Sequence, residues 1–172
     1  MPAPRIHLPP RDDGFLANVD FEWLEHDARR DEEGETIYGT GVMFHHGGLA
    51  LAWDDPRFAE AGARLFAVAG ISFRPEALVG VGVGSPLRLE PEPSNPHDPD
   101  AVAVYAADRG VQIGYVPRTL TRVVRAPAGT DAVVHFEWRD VDGAACGLRA
   151  LTAPAAFVAR LQRFVARRRR TG

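Results

Sequence analysis

The sequence has one cysteine, Cys146, in 172 residues, so no intrachain disulfide can form and a reducing compartment is expected. It has no lysine; all 20 basic residues are arginine. Genomic composition bias explains that most simply, although the guanidinium fork also suits phosphate. No apolar run approaches the roughly 20 residues that a membrane-spanning helix needs. The opening MPAPRIHLPPRDDG lacks both the apolar stretch and the cleavage pattern of a signal peptide. A cytoplasmic protein without membrane association is therefore expected. No paired carboxylates and no nucleophile with a neighbouring base stand out, so the chain is read as non-enzymatic, with no cofactor.

What is present is ordinary for a globular protein, with 45% hydrophobic and 25% charged residues. A chain of this length can bury a core without disulfides or metal. The formal net charge of −3 hides a gradient: residues 1–60 carry −8, residues 61–116 carry −2, and residues 117–172 carry +7. Such asymmetry bears on partners rather than on fold. It predicts that the acidic front segment folds over a basic pocket and regulates it.

Four regions are expected. Residues 1–34 form an acidic, Pro-rich, partly disordered segment, in which Phe15, Phe21 and Trp23 could pin a short stretch onto a core. Residues 35–64 give a hairpin around Gly47-Gly48, then a short helix capped by Asp55 and opened by Pro56. Residues 65–125 form the central core: an apolar strand at Leu65–Ile71, a helical turn at PEALVG, and alternation in PLRLEPE. A Pro-rich loop over 91–100 follows, then strands at Ala101–Tyr105 and Val111–Val116 and a short helix opened by Pro117. Residues 126–172 give a hairpin around Asp140–Gly143 and a basic amphipathic helix with Phe157, Val158, Leu161, Phe164 and Val165 on one stripe. Many short strands between turn signals imply a mostly β barrel or sandwich, with helices as plugs.

Generic motifs give little. The glycine run Gly80–Gly84 has no following helix to make a phosphate cradle. His45-His46 reads as a turn rather than a metal site, since no further ligands accompany it. Cys146, in a predicted strand without a nearby histidine, reads as a packed small residue.

The specific information sits in three blocks: VAGISFR (Val68–Arg74), PLRLEPEPSNPHDPDAVAVY (Pro86–Tyr105) and VQIGYVPRTL (Val111–Leu120). Its most diagnostic string is Leu89, Glu92, Pro93, Asn95, Pro96, Asp98, Ala101, Val102 and Val104, followed by Gln112 to Pro117. Asn95-Pro96 restricts the backbone on both sides of the peptide bond, and Pro99 limits it after Asp98. A rigid loop should therefore hold His97 and Asp98 at a strand entrance, and loops on rigid scaffolds are where binding groups concentrate.

Together these blocks, about a third of the chain, resemble the HIRAN family. The resemblance implies an OB-like or SH3-like small β-barrel with short helices, capturing the 3′-hydroxyl end of single-stranded DNA. Such modules serve repair or defence machinery and direct a helicase or nuclease on another chain. It also implies roles: Asp98 as the loop carboxylate that receives the hydroxyl, and Phe73 and His97 as stacking rings. Arg118, just beyond Tyr115, becomes the phosphate contact. Ser72 stands where a studied member of the family carries an arginine, for which Arg74 would compensate. The DNA-binding set is thus Phe73, Arg74, His97, Asp98, Tyr115 and Arg118, with no metal. Four of them have a plainer reading: Asp98 as a turn cap, Phe73 as core, His97 as a loop spectator, Arg118 as solvated. Arg167–Arg170 either attracts DNA backbone or is a solvated helix end. The competing function is a protein-interaction or scaffold module whose DNA pocket has decayed.

Overall fold

The run Ala132–Phe136 is apolar at every position but His135, and it becomes the strand around which everything else is arranged. A computed structural model describes residues 14–121, 124 and 129–172. In it, β8 (Thr130–Arg139) is buried on both faces from Ala132 to Phe136. One edge of β8 pairs first with β5 (Pro86–Pro91) and then with β2 (Thr36–His46). Its other edge pairs with β9 (Ala145–Thr152). Beyond β5 lie β6 (Val102–Ala106) and β7 (Val111–Tyr115). Beyond β2 lie β1 (Asp20–Arg30) and the two-residue β3 (Leu49–Ala50). β4 (Arg64–Ala67) pairs with β9. Every ladder is antiparallel.

Because side chains alternate along a strand, β8 serves two cores. Ala132 and Val134 join Phe66, Leu87, Leu89, Val104, Ile113 and Leu148. Val133 faces Val42, Phe44, Phe58, Leu151, Phe157, Leu161 and Val165. Each fully buried Leu or Phe contributes about 1.5–3 kcal/mol. The second core is closed by α1 (Pro56–Glu60) and α2 (Ala155–Thr171). As expected, Asp55 caps α1 by accepting from the Arg57 N–H, and Pro56 opens it.

The fold is thus mostly β, but the sheet is not closed into a barrel: its ladders run β1-β2-β8-β5-β6-β7 and stop. Among the described residues, the link from β7 back toward β4 is one isolated bridge. There the Ala69 N–H donates to the Tyr115 carbonyl at 2.8 Å, and the Tyr115 N–H to the Ala69 carbonyl at 2.9 Å. The pairing stops because Gly70, at φ +74°, turns the chain into a 3-10 turn at Ile71–Phe73. The approach itself requires Gly114, where a Cβ would fall on the Ala69 carbonyl oxygen and beside Val68.

Other expectations need correction. The front segment is regular from residue 16, with a 3-10 turn at Leu16–Asn18 and the eleven-residue β1; residues 1–13 lie outside the described ones. β1 escaped notice because it is a charged edge strand, paired only with β2, and charge on an edge discourages further pairing. Nor does the described front lie over the Asn-Pro loop. Arg160 of α2 donates to the carbonyls of Leu16, Ala17 and Val19 at 2.9, 2.8 and 2.6 Å, fixing it to the second core. Residues 118–121 form turns rather than helix; 122 and 123 lie outside the described residues. Cys146 is exposed because the register skips it, Trp138 facing Gly147 and Arg139 facing Ala145. A bulged residue of this kind leaves the ladder.

Candidate nucleic-acid interface

The β5–β6 loop is built on Asn95. Its side-chain oxygen accepts the N–H groups of His97 (2.9 Å) and Asp98 (3.2 Å), while its amide donates to Glu92 Oε2 at 3.0 Å. The Asn95 N–H donates to the Glu92 carbonyl, and the loop is closed by Glu92 N–H to the Ala101 carbonyl. Asparagine suits this position because one short side chain both donates and accepts locally. Glu92 Oε2 also accepts from the Tyr115 hydroxyl at 3.1 Å, which ties the loop to β7. The ring of Tyr115 in turn carries the Arg74 guanidinium, 5.6 Å from its centroid. Arg74 follows directly on the 3-10 turn that ends at Phe73.

Asp98 uses its two oxygens differently. Oδ1 accepts the Asp100 N–H at 2.9 Å, a turn cap. Oδ2 stands 3.8 Å from the Arg118 guanidinium, with the Asp98 side chain 20% and the Arg118 side chain 81% exposed. An ion pair so long and so open contributes little, about 0–1 kcal/mol. Asp98, Asp100, Arg118, Thr119 and Thr121 line a cavity of about 450 Å³. Phe73 is 82% exposed, so it is not core. An exposed large aromatic is the less usual observation and the more informative one.

Five of the six expected residues are therefore joined directly or through neighbours: Phe73 adjoins Arg74, which covers Tyr115, which binds Glu92 and so Asn95, beneath Asp98 and Arg118. His97 is on the exposed surface of the same loop, held through its backbone. Sequence reasoning did not assign Glu92 a part in holding the site together, although it stands in the motif three residues before Asn95, a spacing that allows mutual bonding. The other candidates find structural employment: His45 pairs with Glu22, and the His46 ring lies 5.1 Å from that of Phe15. Among the described residues no group of three metal-ligating side chains assembles. No described helix is long and apolar enough to cross a membrane.

Residues 62–139 match the family model of the HIRAN domain. HIRAN domains bind the 3′ ends of single-stranded DNA and are generally not catalytic. The match spans β4 to β8 and includes the whole Asn95 loop; β1–β3, β9 and α2 lie outside it. Among solved structures the chain is similar to the HIRAN domain of human HLTF, with 18% identity and a TM-score of 0.38, over 58% of this chain and 83% of that one. No curated protein gives a significant match.

Proposed function

We propose that this protein captures the 3′-hydroxyl end of single-stranded DNA at the cavity beneath the Asn95 loop. The observation that carries the reading is Asp98 Oδ2, an acceptor held at a cavity mouth by a loosely associated, exposed arginine. The terminal hydroxyl donates to Oδ2, since a carboxylate is an acceptor only. Arg118 swings from that carboxylate to the last internucleotide phosphate, losing little because its ion pair is weak. Phe73 offers a face for a terminal base, and base–aromatic stacking contributes about 1–3 kcal/mol per base. A 3′-phosphate would bring like charge toward Asp98 and Asp100 and be rejected. The protein then works as an accessory part of repair or defence machinery, directing a helicase or nuclease on another chain to strand ends.

Fluorescence anisotropy with matched 3′-hydroxyl and 3′-phosphate oligonucleotides tests this. Asp98→Ala should weaken 3′-hydroxyl binding at least about tenfold, the loss of one charge-assisted hydrogen bond. Asp98→Asn keeps the cap on Asp100 and should narrow the preference for the hydroxyl. Equal, negligible binding of both oligonucleotides at low salt would refute the proposal. One observation favours the scaffold reading: Asp98 Oδ1 is already spent on the loop. If Asp98→Ala unfolds the loop while the wild-type protein ignores DNA, that reading prevails.

A further inference from the structure

A larger cavity, about 830 Å³, adjoins the one under the Asn95 loop. The turn between them is shared: Arg118 and Thr121 face the smaller cavity, Pro117 and Leu120 the larger, and Thr119 lines both. The larger groove is within the usual size of ligand sites, about 300–1,000 Å³. Much of its wall lies outside the HIRAN match: Leu51, Trp53 and Phe58 precede it and Arg149 follows it.

Two guanidinium groups line the groove without a carboxylate partner within ion-pair distance among the described residues. Arg149 projects from β9 with its guanidinium 4.1 Å from the Trp53 ring centroid, a cation–π contact. Arg64 donates only to the Ala63 carbonyl, at 3.2 Å, and its Nε is buried with no partner. The Trp53 indole N–H is also buried and unpaired. Burial holds Arg149 below the ordinary arginine range; Asp54 acts against that shift and Arg29 with it. Of the two acids on the rim, Asp55 is neutralised by Arg57 at 2.9 Å. Asp54 is the remaining negative group facing the site. An apolar groove with two under-compensated cations suits a ligand that is planar and anionic at once.

We infer that this groove holds the nucleotides 5′ of the terminal dinucleotide, with Arg149 and Arg64 meeting their phosphates and the apolar wall receiving a base. The strand crosses Thr119 to pass from one cavity into the other. This inference rests on the end-capture reading for its starting point, but it makes its own demand: affinity must grow with strand length.

The test measures the full chain against a 3′-hydroxyl dinucleotide and hexanucleotide by competition anisotropy. The hexanucleotide should bind at least about tenfold tighter, as one added charge-assisted contact implies. Arg149→Gln and Arg64→Gln should each remove most of that gain and leave the dinucleotide unchanged. Each should also flatten the dependence of log affinity on log salt by about 0.7 per lost phosphate contact on a single strand. A misfolded variant would lose the dinucleotide as well, so the dinucleotide reports folding. If affinity does not rise with length, or both variants weaken both ligands alike, the groove assignment is wrong while end capture stands. If 3′-phosphate and 3′-hydroxyl hexanucleotides bind equally and both need Arg149, the groove stands and end capture falls. No binding of any oligonucleotide overturns both.

Discussion

Replacing Gly114 by alanine tests how the fold holds the site together. Its Cβ would meet the Ala69 carbonyl oxygen head on, with Val68 Cγ1 at 2.8 Å; the nearest obstacle is backbone, so no rotamer change relieves it. β7 must then move away from Ala69, giving up the two hydrogen bonds of the isolated bridge, at 2.8 and 2.9 Å. Each contributes about 0.5–1.5 kcal/mol net, and overpacking against Val68 adds about 1–3 kcal/mol. The expected destabilisation is about 2–6 kcal/mol by urea unfolding followed through tryptophan fluorescence. The functional consequence is separate: the bridge joins the strand of Tyr115 to the segment that leads into Phe73 and Arg74. Under conditions where Gly114→Ala remains folded, its affinity for 3′-hydroxyl oligonucleotides should fall, because ring and carboxylate no longer keep a fixed separation. A stability change within about 0.5 kcal/mol, the range of ordinary surface substitutions, together with unchanged binding, would refute this account.

Two further predictions concern stability. Burial pushes His135 down to about 3 from 6.5, aided by the Arg149 charge and opposed by its bond to the Val42 carbonyl. The folded protein therefore keeps a neutral imidazole; its stability is intact above pH 6.5 and declines as pH falls from there toward 3. Near pH 5 the loss is about 2 kcal/mol; His135→Leu should remove that part of the decline in paired urea titrations, and an identical decline in both proteins would count against it. Arg160→Met should cost about 2 kcal/mol, since it strips one charged donor from the carbonyls of Leu16 and Ala17 in the 3-10 turn and of Val19 just after it. Thermal unfolding should report it, with binding to the dinucleotide preserved.

The parts of the fold that could be read in advance are those where local and tertiary requirements coincide. Leu87 and Leu89 alternate with Arg88 and Glu90 and are buried as that pattern demands. The α2 stripe buries Phe157, Leu161 and Val165. β1 was illegible because its partner, not its composition, makes it a strand: only Phe21 and Trp23 mark its inner face, amid acids and arginines. The closed barrel failed on one glycine, since nothing in LFAVAGI distinguishes a strand that runs on from one that pairs at Ala69 and turns at Gly70. In the site, Asp98 and Asn95 were legible because their work is local to one loop. Phe73 offered both a core and a surface reading, and its 82% exposure decides it. The groove was invisible, because Trp53, Arg64 and Arg149 come from three separated segments and no spacing connects them.

The acidic balance of the chain looks like an argument against a nucleic-acid ligand, and the placement of its arginines answers it. Within the basic cluster at the end of α2, Arg169 donates to the Val83 carbonyl and Arg168 lies 3.9 Å from Glu25. Arg139 and Arg57 are likewise paired with Glu137 and Asp55. Arg118, held only at 3.8 Å, and Arg149 and Arg64, without carboxylate partners in reach, flank the same turn at Thr119. A protein that coated DNA backbone would need many cations spread over one face, and its affinity would fall steeply with salt. A protein that recognises an end needs few, placed where the strand stops. On the proposed end-capture reading, net charge works as selection: negative surface elsewhere discourages internal, sequence-independent attachment, while the cations near Thr119 act where a terminal hydroxyl can also be met.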